Sequence, residues 1–158
     1  MCDGFINMIQ DVKYMRIALK EAQKAALLDE VPVGAIIVKD DKIIARGHNL
    51  REKSNDPTSH AEVNAIRKAC KKLDSWRLED ATIYVTVEPC SMCAGTLLQC
   101  RIGRIVYGAK DPKGGAIESS LQLFNAKNIN HHPGIIGGVL EQECSSIISN
   151  YFKSKRNK

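Results

Sequence analysis

The chemistry-bearing residues of this chain fall in two short stretches. One is Glu88-Pro89-Cys90-Ser91-Met92-Cys93, and the other is His60-Ala61-Glu62. Positions i and i+3 share one face of a helix, so the two sulfurs can reach a common point. A helix N-terminus carries partial positive charge and favours the thiolate, the form that binds metal. A C-x-x-C pair alone reads equally as half of a structural zinc site or as a redox pair. His60 offers a third, borderline-soft ligand. One histidine and two cysteines leave a fourth position open, which separates a catalytic zinc from a structural one. Glu62 lies two residues from His60. On a regular helix it would point away from the ligand face, so it reads as a proton carrier beside the metal rather than as a fourth ligand. That first turn need not be regular.

The elements that must deliver these residues follow from periodicity and turn residues. Met15, Ala18, Leu19, Ala22 and Ala26 have helical spacing between Asp11 and Asp29. Val33 to Val38 reads as an apolar strand. The turn Lys39-Asp40-Asp41-Lys42 returns the chain through Ile43 to Gly47 as a hairpin. The polar run Ser54 to Ser59 is a loop that presents His60. A helix then carries Ala61, Ala65, Ile66 and Ala69. Thr82 to Val87 is a β-branched strand, and Pro89 suits the first turn of a helix from about Cys90 to Gln99. Ile105 to Tyr107 is a short strand, 109–119 a Gly-rich loop, and Ser120 to Phe124 a short helix. Val139 to about Arg156 is the last helix. Pro133 falls where a strand is expected and implies an edge or a bulge. Helices alternating with strands after a hairpin imply an α/β fold, a mixed sheet covered on both faces.

The H-x-E and P-C-x-x-C stretches form the zinc-deaminase signature. The resemblance extends to Val31-Pro32-Val33-Gly34-Ala35, to Asp56 through Glu62, to Leu78 through Thr86 and to Arg101 through Ala109. From Asp11 to Arg156 the chain resembles the bacterial tRNA-specific adenosine deaminases. That likeness implies a cytidine-deaminase-like fold, a three-layer α/β/α sandwich around a mixed five-stranded sheet. It implies Zn2+, one ion per subunit, on His60, Cys90 and Cys93. It further implies a zinc-activated water that attacks C6 of adenine while Glu62 moves the protons. The implied substrate is the wobble adenosine, position 34, of a transfer RNA anticodon stem-loop, and the implied assembly is a homodimer. Asn49, which alone reads as turn chemistry, is implied to contact the nucleoside, and Asp111 to lie near the sugar-phosphate. The basic tail, with Lys153, Lys155, Arg156 and Lys158, is implied to contact phosphate. Glu118 departs from the family, which usually has a small residue there. A deaminase of a free base or nucleoside, guanine or cytosine, would carry the same zinc site. A non-catalytic relative would usually lack the glutamate.

Composition bounds these readings. The 158 residues suit one domain spanning 1–158. Hydrophobic residues at 44% and charged residues at 26% are ordinary for a globular protein. No apolar run approaches the roughly 18 residues that read as a membrane span. Met1 to Gln10 lacks the basic and apolar regions of a signal peptide. Six cysteines are present, and Cys2, Cys70, Cys100 and Cys144 read as free thiols. Free thiols imply a reducing compartment, the cytoplasm. A net charge of +5 is compatible with a polyanionic partner without requiring one. Trp76 reads as a packing residue. His131 and His132, adjacent on an expected strand, point to opposite faces and do not form a second metal pair.

Overall fold

A computed structural model describes residues 2–157, with side chains from residue 4. The elements run α1 (Cys2–Leu27), β1 (Gly34–Lys39), β2 (Lys42–His48), α2 (Arg51–Ser54), α3 (Ala61–Leu73), β3 (Ala81–Val87), α4 (Ser91–Gln99), β4 (Arg104–Ala109), β5 (Gly134–Ile136) and α5 (Glu141–Arg156), with a 3-10 turn at Leu123–Asn125. The sheet is five-stranded, in the order β2-β1-β3-β4-β5. β1 is antiparallel to β2 and to β3, while β3, β4 and β5 run parallel.

Strand alternation divides the core into two layers, as side chains of period two must. Ala35, Ile37, Ile83, Val85, Ile105 and Tyr107 face α3 and α4, whose Ala65, Ile66, Ala94 and Leu97 cover them. Ile36, Val38, Tyr84 and Val106 face the other way, onto Met15 and Ala18 of α1 and Cys144 of α5. This is the expected α/β/α sandwich with its mixed sheet. Gly34 allows α1 to lie directly on the sheet: an added Cβ there would sit 2.1 Å from the Ala18 carbonyl oxygen.

Several local expectations change. α1 begins well before Asp11, at Cys2. One turn of helix, α2, occupies a stretch without helical patterning. The expected helix at Ser120 to Phe124 is a 3-10 turn shifted to Leu123–Asn125, with Phe124 buried. Pro133 immediately precedes β5, so the edge strand starts after it and loses no ladder donor. Trp76 is 57% exposed and does not pack in the core. Its ring lies under the Arg77 guanidinium, 4.7 Å from the centroid, where the π face takes up the cation. Cys100 and Cys144 are buried and Cys70 half-buried, all as free thiols. The Cys2 side chain and Lys158 lie outside the described residues.

Candidate active site

β2 is antiparallel to β1, and β1 is antiparallel to β3. β2, β3 and β4 therefore end on one side of the sheet, and each hands its chain to a loop there. After β2, Asp56 accepts the N–H and hydroxyl of Thr58 at 2.8 and 2.7 Å and turns the chain toward His60. His60 is the residue that starts α3, with extended backbone at φ −82° and ψ 157°. After β3, Cys90 starts α4 in the same way, at φ −74° and ψ 178°. Two helix N-termini thus point at one place. Because His60 is extended rather than helical, the spacing from His60 to Glu62 is not a helical one, and both side chains face the same point.

The His60 Nδ1 lies 3.6 Å from the Cys90 sulfur and 3.6 Å from that of Cys93. All three candidate ligand atoms fall within 4.8 Å of one another. Ligands bonded to one tetrahedral zinc at 2.0–2.3 Å stand roughly 3.5–3.8 Å apart, so the donor set fits a metal ion in kind and in spacing. The electrostatics agree. The Cys90 thiol is drawn down to about 4, first by its hydrogen bond with Cys93, with His60 adding to the effect against the cost of burial. Cys93 is pushed upward by the same contact and by its burial, so a thiolate of this pair sits on Cys90. His60 is raised by its contact with Cys90. Glu62 is 4% exposed, and burial raises its carboxyl to about 7. A carboxyl that gains or loses a proton near neutrality suits general acid–base work.

A cavity of about 250 Å³ opens over this cluster. Val31 and Val33 supply apolar wall, and Asn49, Arg51, Glu62 and Asp111 supply polar groups. The Asn49 amide donates to the Val31 carbonyl at 3.4 Å, and its oxygen accepts the Arg51 N–H at 3.1 Å. One donor hydrogen and one lone pair of that amide remain for the cavity.

The MafB19-like deaminase family matches residues 9–156. A tRNA-specific adenosine deaminase of Bacillus subtilis (strain 168) is 48% identical over 151 residues, 96% of this chain and 94% of its own length. The chain belongs to the tRNA-specific adenosine deaminase family. A solved structure from work on A-to-I editing by tRNA:A34 deaminases at the wobble position of transfer RNA superposes with a TM-score of 0.83 at 46% identity, covering 85% of this chain and 98% of that one. A Bacillus subtilis guanine deaminase structure superposes with a TM-score of 0.61 at 33% identity, covering 92% and 93%.

For this family member the structure brings His60, Glu62, Cys90 and Cys93 together and places Asn49 and Asp111 on the cavity wall. The Asp111 carboxylate also accepts the N–H groups of Lys113 and Gly114 at 3.2 and 3.1 Å, so it shapes its own loop. Lys153, Lys155 and Arg156 of the tail lie elsewhere, at the end of α5. Lys155 is held by Asp29, with Nζ 2.5 Å from Oδ1, while Lys153 and Arg156 are exposed. Glu118 does not line the cavity: its carboxylate accepts the buried Tyr107 hydroxyl and is turned back toward the sheet. Sequence reasoning missed Arg51, Val31 and Val33 as wall residues. Arg51 had one available signal, a cation two residues after Asn49. No helix among the described residues is long and apolar enough to cross a membrane.

Proposed function

We propose that this chain, as one domain over residues 1–158, hydrolyses the 6-amino group of an adenosine in transfer RNA, leaving inosine in the RNA and releasing ammonia. The observation that carries the reading is the convergence of His60, Cys90 and Cys93 beside a buried Glu62, at the floor of a cavity walled by Asn49 and Asp111. His60, Cys90 and Cys93 would hold one zinc ion per subunit. When bound, zinc supplies Lewis-acid activation of water. Glu62 removes a proton from the attacking water and gives it to the ring nitrogen, then takes the remaining proton of the added hydroxyl and gives it to the departing amine. Its carboxyl, poised near neutrality, can act in both directions. The free half of the Asn49 amide and the Asp111 carboxylate orient the nucleoside. Val31 and Val33 shield the base from water.

The finer reading places the adenosine at the wobble position, 34, of an anticodon stem-loop. The loop lets the base splay out at lower cost than a duplex would. Lys153 and Arg156 reach toward phosphate from the end of α5, with Lys155 already engaged by Asp29. The working form is a homodimer in the cytoplasm, where its substrate is found.

Inosine formation at the first anticodon position of an adenosine-bearing stem-loop tests the reading. A panel of free guanine, cytosine and cytidine should run beside it. The wild type should convert the RNA and ignore the panel. Glu62→Gln should retain its zinc while turnover falls about 10²–10⁴-fold, the usual worth of such proton transfer. Ammonia from a free base with no inosine in RNA would replace this reading with that of a free-base deaminase. A Glu62→Gln enzyme of wild-type rate would remove Glu62 from the mechanism.

A further inference from the structure

Glu88 opens the cysteine motif, yet its carboxylate takes no part in the cluster. It is 2% exposed. The N–H groups of Asp111, Ile117, Glu118 and Ser119 donate to it at 3.1, 3.1, 2.8 and 2.9 Å, and the Ser119 hydroxyl donates as well. A carboxylate offers about four lone-pair sites, so these donors saturate it. Among the described residues, no lysine or arginine forms an ion pair with it. Its charge is balanced by backbone dipoles from a single loop.

That loop is stitched along the same three residues that deliver the metal ligand. Glu88 N–H donates to the Ala109 carbonyl at 2.8 Å, and Ala116 N–H donates to the Pro89 carbonyl at 2.8 Å. Gly115 forms an antiparallel bridge with Cys90. Gly115 has to lack a side chain, because a Cβ there would lie 2.4 Å from the Glu88 carboxyl carbon. Asp111 sits at the start of this loop and on the cavity wall.

We infer that Glu88 is a positioning residue that locks the 111–119 loop onto the strand-to-helix junction carrying Cys90, so that the substrate wall and the metal ligand move as one rigid unit. The word substrate here rests on the proposed deaminase reading. The lock itself rests only on the hydrogen bonds. A glutamine at this position keeps the size but sets an NH2 group against N–H donors, leaving part of the loop unpaired.

Glu88→Gln, Gly115→Ala and Ser119→Ala test the lock by three routes: altered charge, displacement of an unaltered carboxylate, and loss of one donor. The first readout is hydrogen exchange of the 111–119 amides. The second is metal content, and the third is KM against kcat on the stem-loop. In Glu88→Gln and Gly115→Ala, exchange in the loop should quicken roughly tenfold or more, while α3 and α4 keep their protection. Metal content should stay at one per chain, and KM should rise roughly tenfold with a smaller change in kcat, the pattern of lost uniform binding. Ser119→Ala should show the same pattern more weakly, and it carries the test alone if the other two fail to fold. Unchanged loop exchange, or exchange that quickens uniformly along the chain with KM unaltered, would overturn the assignment. A wild type inactive on the stem-loop would sink the substrate reading, and the exchange result would still decide the lock.

Discussion

Two buried polar clusters lie on opposite sides of the sheet, and only one of them pairs a carboxylate with a guanidinium of the chain. On the α1 side, Asp11 is 2% exposed and accepts the Tyr84 hydroxyl at 2.9 Å. Both of its oxygens are gripped by the Arg104 guanidinium, at 2.8 and 2.6 Å. The carboxylate in turn raises Arg104, first through those hydrogen bonds. Charge is matched by charge, and α1 is tied to β3 and β4. On the other side, Glu62 is 4% exposed, with no lysine or arginine partner among the described residues. Two sulfurs and an imidazole crowd beside it. A protein tolerates such an assembly when a ligand of opposite charge completes it. Polar burial that closes on itself supports the fold; polar burial left open marks a site.

The contrast can be broken most severely at the open cluster. Cys93→Ala removes one of three candidate ligands from a fully buried position. Metal content should fall to near zero and inosine formation to background. The thermal midpoint should drop as well, because metal that binds only the folded chain stabilises it. Metal analysis and a melting curve check this, and an active variant with full metal content would refute the ligand assignment.

At the closed cluster the effect should fall on stability instead. Asp11→Ala leaves the Tyr84 hydroxyl without an acceptor and Arg104 without its anion. The loss should be about 2–4 kcal/mol by urea unfolding, below the figure for a fully buried pair because the Arg104 side chain is 27% exposed. Turnover per folded molecule should stay within about twofold of wild type, since removing a structural pair touches neither ground-state nor transition-state binding. Lost turnover at unchanged stability would erase the distinction between the clusters.

The open cluster was legible in the sequence because its members announce themselves by type and spacing. Cys90 and Cys93 lie one helical turn apart, and His60 with Glu62 completes the set. What could not be read was direction. The inward turn of Glu62 depends on the extended backbone of His60, and φ and ψ at a helix start are not written in residue spacing. The layers were legible through the period-two strands and the amphipathic α3, and the edge position of β5 through Pro133. Arg51 escaped because α2 is a one-turn helix with no apolar pattern. Its N-terminal groups are held from afar, with the Glu52 and Lys53 N–H groups donating to the buried Glu30 carboxylate at 3.0 and 2.7 Å. Trp76 misled because an aromatic ring usually packs, whereas here a neighbouring guanidinium covers it at the surface. Glu118 stood out as an unexpected carboxylate in the loop, and its partner, the Tyr107 hydroxyl on the sheet side, could not be read from the sequence. Apart from Trp76, whose partner is the next residue, these misses are contacts between separate segments or a backbone angle, and local composition reports neither.

The smallest effect expected is one of reactivity, and it carries the same contrast into the cysteines. Burial raises the Cys100 and Cys144 thiols to about 12, so at pH 8 both stay protonated and enclosed. Cys90 is half-buried at the cavity and drawn down to about 4. In chelator-treated protein at pH 8, a maleimide should label Cys90 first among the cysteines whose side chains are described, Cys70, Cys90, Cys93, Cys100 and Cys144. Cys70, half-buried and raised by burial, should follow slowly, and Cys100 and Cys144 should stay unlabelled until the chain unfolds. Added zinc should protect Cys90 and leave the rate at Cys70 unchanged, because Cys70 belongs to no ligand set. Peptide mapping over a time course separates the sites. If Cys100 were labelled as fast as Cys90 in the native protein, the sulfurs of the core and of the cavity would be equally open. The line between a closed cluster and a waiting one would then have to be drawn elsewhere.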